Sequence, residues 1–229
     1  MLDKGVERRG PPKPAGIVSR VVTTIGRLVV PVLSLVGAFA AVWVTRAETA
    51  TDFRFLRHLD ASLDPADGNW LTWGMVLLPL VFFALNLISR RHGPSLALAA
   101  VVLSWAAIGG GIYWAMSEGL IVSFEEDIAP VALAGAFAGA MLAGQIVCIY
   151  LFDWLRGIPW WEAPLMAAFF GGTVFTLIFH ATTAGDWSEA AWPRLAVLAG
   201  LQLIWAAGQL LPTAALRRAL RPAPGFGGA

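Results

Sequence analysis

Apolar residues in this chain come in long unbroken runs, not in the alternation of a half-buried strand or the one-sided stripe of a surface helix. Six runs approach or exceed the length that crosses a bilayer, at about 21–45, 70–88, 95–116, 128–153, 162–183 and 191–216. A span needs roughly 20 apolar residues. The pattern predicts an all-α fold: a polytopic integral membrane protein built as a six-transmembrane-helix bundle. The punctuation between runs agrees. Arg90, Arg91 and His92 followed by Gly93-Pro94 close the second run, and Asp153, Trp154 and Arg156 close the fourth. Proline cannot donate a backbone hydrogen bond and glycine tolerates turns, so Gly93-Pro94 stops a helix.

The two ends of the chain lack such runs. Residues 1–20 are basic and proline-rich, which predicts a disordered tail, and residues 217–229 form a second tail. A rival reading takes the basic leader, the apolar core from Leu28 to Gly37 and Ala38-Phe39-Ala40 as a cleavable signal peptide. Apolarity that continues to Val44 favours a span. Residues 46–69 are polar and predict an external loop, with a short interfacial helix around 53–59.

Composition narrows the class further. The 229 residues are 58% hydrophobic and only 14% charged, against about 25% charged in soluble domains. The net charge of +1 says little as a total; its distribution over the loops says more. Lys4, Arg8, Arg9, Lys13, Arg20, Arg90, Arg91, Arg156, Arg217, Arg218 and Arg221 fall on the side shared by both termini. Arg46, Arg54, Arg57 and Arg194 fall on the other side, with eleven of the fifteen acidic residues. Positive charge is retained in the cytoplasm, so both termini are expected there. Tryptophans gather at the two boundaries, leaving Trp105 and Trp205 near mid-membrane.

Candidate chemistry lies in the few polar groups within the spans. These are Asn86, Gln145, Thr173, Thr176, His180, Gln202 and Gln209. The mid-membrane segments hold no lysine or carboxylate, which argues against a relay built on buried acids. His58, His92 and His180 stand far apart, with no metal-ligand spacing. No nucleophile, paired acid and base, phosphate loop or cofactor motif is present, and nothing suggests nucleic-acid binding, so an enzyme is not expected. The lone cysteine, Cys148, allows no intramolecular disulfide. The expected substrate-binding set is Asn86, Gln145, Thr176 and Gln202 as hydrogen-bonding groups, with Trp105 and Trp205 able to stack on a planar ligand. The alternative for each residue is that it holds one helix to the next. Small residues in the fourth run form two stripes, Gly135 with Gly139 and Ala136 with Ala140 and Gly144. The Gly135, Gly139 and Gly144 face is a candidate contact for a second copy or another membrane protein.

Several motifs add a resemblance. Thr72-x-Gly74-x4-Pro79-Leu80-x-Phe82-x3-Asn86-x6-Gly93 resembles the second-span signature of the vitamin-uptake family, the queuosine-precursor transporters. Gly144-Gln145-Ile146-Val147-Cys148-x3-Phe152-x2-Leu155, Trp160-Trp161-x-Ala163-Pro164, Phe170-Gly171-x4-Thr176 and Leu211-Pro212 are similar to further motifs of that family, in order and in register. The resemblance covers about Trp70 to Leu216. It implies six spans with cytoplasmic termini in a bacterial-type inner membrane, and import of a small polar solute, a deazaguanine base, by alternating access. It also marks departures. Asn86, Cys148 and Phe175 stand where the family has acids, and Gln202 where it has a lysine. The second class of function left open is a relative that no longer transports and serves as a membrane partner or scaffold subunit.

Overall fold

A computed structural model describes residues 17–46, 48, 50, 58, 61, 70–119, 131–157, 159–183 and 191–221. The expected interfacial helix around 53–59 and most of both tails lie outside the described residues. The helices are α1 (Ile17–Val44), α2 (Trp73–Leu77), α3 (Pro79–Ser117), α4 (Val131–Trp154), α5 (Glu162–Thr183), α6 (Ala191–Gly208) and α7 (Leu210–Leu216). The described residues contain no extended strand.

Five helical stretches are long and apolar enough to cross a bilayer: Thr23–Val44, Trp73–Ser117, Val131–Trp154, Glu162–Thr183 and Trp192–Leu216. Their outward faces carry large apolar side chains, among them Val30 at 69% exposure, Tyr113 at 76% and Leu211 at 79%. In water such a surface would drive aggregation, whereas hydrocarbon solvates it, and helices satisfy their own backbone groups there. The chain is a multi-pass membrane protein.

The helix breaks follow from chain chemistry. Pro79 has no N–H to donate to the turn before it, which separates α2 from α3. Pro212 has the same effect near the join of α6 and α7, where Gln209 precedes the second piece without a side-chain capping bond. The expected second and third spans follow each other directly within α3, which consists of two helices meeting at a kink at Gly93. Gly93, with φ of 80° and ψ of 176°, is non-helical and separates the two helices of α3. Only glycine adopts that region readily.

The main core draws on α1, α3, α4, α5 and α6, with Leu35, Phe39, Phe82, Leu85, Met141, Ile149 and Phe175 among its buried members. The α4–α5 contact is the closest. A side chain at Gly144 would meet the Gly171 carbonyl oxygen at 2.5 Å, and one at Gly171 would meet the Gly144 carbonyl at 2.9 Å. The two backbones therefore touch only because both residues are glycine. A smaller cluster of Ala50, Leu71 and Val76, packed by Trp70 and Trp73, closes one end of the molecule. There Ala50 donates its N–H to the Leu71 carbonyl at 3.0 Å and Trp73 donates to the Glu48 carbonyl at 3.0 Å.

Candidate functional site

The interior polar groups sit on the inward faces of α3 to α7. Asn86 is 1% exposed, Gln145 0%, Gln202 6% and Gln209 3%. A buried amide without a partner costs about 1–3 kcal/mol, so each contact of these groups bears on what they do.

One cluster centres on Asn86. Its Nδ2 donates to the Pro164 carbonyl at 2.9 Å and to Gln209 Oε1 at 3.3 Å. Gln209 Nε2 donates to the same Pro164 carbonyl at 2.8 Å. Cys148 Sγ donates to Asn86 Oδ1 at 3.4 Å. Two carboxamides, a thiol and one backbone carbonyl thus tie together α3, α4, α5 and the α6–α7 join. The cluster is neutral. Asn86 supplies both a donor and an acceptor here, which a carboxylate at this position could not do.

The second cluster lies one turn away along α4. Trp105 Nε1 donates to Gln145 Oε1 at 2.9 Å, while Gln145 Nε2 is buried with no hydrogen-bond partner among the described residues. The Trp105 ring packs on Phe39 of α1 with centroids 5.0 Å apart and planes tilted by 57°. It therefore serves Gln145 with its N–H and the core with its ring.

On the α5–α6 side, the Gln202 amide presses against Gly172, where an added Cβ would collide with it. Gln202 Oε1 is a buried acceptor without a partner among the described residues. Thr176 donates its hydroxyl to the Gly172 carbonyl at 2.9 Å, back into its own helix. Phe175 joins an aromatic group, 5.5 Å from Phe137 and stacked at 5.7 Å on Phe179.

Of the residues singled out from sequence, Asn86 and Gln145 thus sit against one turn of α4. Gln202 and Thr176 share Gly172 as a neighbour. Trp205 is half-buried, and no hydrogen bond or ring contact joins it to the others among the described residues. The proposed small-residue face is split. Gly144 is consumed by packing on α5, whereas an added Cβ at Gly135 or Gly139 meets nothing within 4 Å. The sequence reading left Gln209 and the Pro164 carbonyl out of the site. A signal for Gln209 was present, since Gln202 and Gln209 are seven apart and share one helical stripe. Nothing in the sequence pattern indicates that a proline carbonyl accepts from two side chains.

Two known proteins are similar to part of this chain. The chain is 31% identical over 123 residues to the queuosine precursor transporter of Escherichia coli (strain K12), covering 49% of this chain and 54% of that protein. It is 30% identical over 116 residues to a probable queuosine precursor transporter of Haemophilus influenzae (strain ATCC 51907 / DSM 11121 / KW20 / Rd), covering 47% of this chain and 49% of that protein. The matches span about half the length of each relative. No family model matches the chain, and no solved structure matches it. The fold defines a multi-pass helical membrane protein with a polar interior. Over about half its length the chain is similar to two proteins named as queuosine precursor transporters.

Proposed function

We propose that this protein imports a small, neutral polar solute of the queuosine-precursor type, a deazaguanine base, by alternating access of a six-helix bundle. One observation carries the reading beyond the names of the relatives. Among the described residues the bundle interior holds an unpaired donor, Gln145 Nε2, and an unpaired acceptor, Gln202 Oε1. They border the contact at which Gly144 meets Gly171 and Gln202 meets Gly172. A planar base with an amide-like edge offers the complementary acceptor and donor, and a site built to hydrogen-bond such an edge rejects analogues that lack it. The neutrality of Asn86, Cys148 and Gln202 fits an uncharged solute.

Six crossings are supported by the reach of α3. Residues 86 and 105 on a straight helix would stand about 28 Å apart at ~1.5 Å per residue. Yet Asn86 bonds Cys148 and Trp105 bonds Gln145, two α4 residues about 4.5 Å apart along the axis. A reversal at Gly93 reconciles the two contacts and makes α3 two antiparallel spans. With the basic loops inward, both termini are cytoplasmic in a bacterial-type inner membrane.

Cells expressing the protein should accumulate labelled deazaguanine base above an empty-vector control. Gln145→Leu and Gln202→Leu should each cut uptake about threefold to tenfold at unchanged membrane abundance, the loss expected for one neutral hydrogen bond. Uptake equal to the control would overturn the reading. The second reading, a membrane partner subunit, draws on the open backbone at Gly135 and Gly139, and stoichiometric co-purification of another membrane protein would favour it.

A further inference from the structure

At the end of the bundle where α4 stops and α5 starts, the fold gathers arginines from three separate segments. Arg156 donates through Nη2 to the Ser89 carbonyl at 2.8 Å, which brings it beside Arg90. The Asn86–Gln209 bond sets α3 beside α7, with Arg90 one turn past Asn86 and Arg217 two turns past Gln209. Arg90 consequently feels the charges of both Arg217 and Arg156. Arg217 stacks over Trp160, 5.2 Å from the ring centroid.

Against these three cations stands Asp153, 3.3 Å from Arg156 Nη2 and 42% exposed. Neither Arg90 nor Arg217 is ion-paired to a carboxylate among the described residues. Arg90 Nε is buried without a hydrogen-bond partner there. Like charges held together repel, and a buried guanidinium N–H left unpaired costs more than a neutral one. Both costs vanish if an anion with several acceptor oxygens sits between them. Guanidinium forks match the oxygens of a phosphate, and the site lies where helix ends meet the headgroup layer.

We propose that Arg90, Arg156 and Arg217 form a binding site for a phosphate group, supplied by the headgroup of an anionic phospholipid. Arg90 donates its Nε, Arg217 closes the site from the exposed side, and Trp160 holds the Arg217 guanidinium flat at the interface. The site lies at the helix ends and does not depend on the solute carried through the interior.

The test uses the full chain purified in a neutral detergent, with binding read by titration of thermal unfolding or by native mass spectrometry. Phosphatidylglycerol should bind about tenfold tighter than phosphatidylcholine, and Arg217→Gln should weaken it about fivefold, the loss expected for one interfacial arginine. Arg217 is exposed, so its replacement gives up the stack on Trp160 but leaves the buried core intact. Arg218→Gln, the same formal change one residue on, should leave the affinity within about twofold of wild type. Sodium phosphate is compared with sodium chloride at equal ionic strength. Protection by phosphate as strong as that by the lipid would support the site and assign its anion to solution. Equal binding of the two lipids, or equal losses in the Arg217 and Arg218 variants, would overturn the proposal.

Discussion

A single methyl group separates the two kinds of glycine on α4. At Gly144 an added Cβ would lie 2.5 Å from the Gly171 carbonyl oxygen and 3.1 Å from Phe175 Cβ. The first neighbour is backbone, which cannot rotate away, so α4 and α5 would have to move apart along their closest contact. Gly144→Ala should therefore lower the unfolding temperature in detergent, at a cost of about 1–3 kcal/mol. Gly139→Ala, where a Cβ meets nothing within 4 Å, should leave it unchanged or slightly raised, since alanine is the better helix former. Equal effects would mean that the α4–α5 contact is not the close one described. This asymmetry was half legible in the sequence. Helical spacing put Gly135 and Gly139 on one stripe and Ala140 and Gly144 on another, but which stripe turns inward depends on what α5 presents, a pair of glycines at 171 and 172. The amides show the same limit. Their number and depth were readable from the apolar runs, whereas the pairing of Asn86 with Gln209 rests on a contact between residues 123 apart in the chain.

Among the elements, α3 departs furthest from its sequence pattern, and a single residue accounts for it. Two spans were expected on either side of Gly93-Pro94, at about 70–88 and 95–116. The pattern did not reveal that no loop lies between them. Charged residues such as Arg90 and Arg91 read as loop, yet they remain helical because their long side chains can reach out of the apolar layer while the backbone stays bonded. The whole change of direction then falls on Gly93 at φ 80° and ψ 176°. Any residue with a Cβ there costs about 1–3 kcal/mol. Gly93→Ala should destabilise the purified protein by that amount in thermal unfolding and should also loosen the Asn86 and Trp105 contacts that depend on the two arms of α3. Pro94→Ala, which leaves Gly93 free to adopt its conformation, should cost less. A Gly93→Ala protein as stable as wild type would show that the arms are held by their packing on α1 and α4 alone.

Among the described residues, arginines gather in two groups on different helix ends, independent of any motif. Arg90, Arg156 and Arg217 meet at one end, where His92 also lies within electrostatic reach of Arg91 and Arg27. At the other, Arg46 lies over Trp43 with its guanidinium 3.6 Å from the ring centroid, and Arg194 stands 5.8 Å from the Trp70 ring. The expectation that these ends face opposite sides of the membrane comes from the loop charges, because the cost of moving arginine across the membrane acts on each loop separately. A labelling experiment converts it into a statement about topology. The native thiol, Cys148, is 0% exposed, so a membrane-impermeant maleimide should leave the wild type unlabelled in intact cells. Arg91, Glu118 and Arg218 are exposed and accept a cysteine without disturbing the core. Arg91→Cys and Arg218→Cys should be protected in intact cells and labelled after permeabilisation, while Glu118→Cys should be labelled from outside. Arg91 precedes the Gly93 kink and Glu118 caps the far end of the second arm of α3, so opposite accessibility requires that arm to cross the bilayer between them. Labelling of both from one side would remove that crossing, and with it the arrangement in which Asn86 and Gln145 face a common interior.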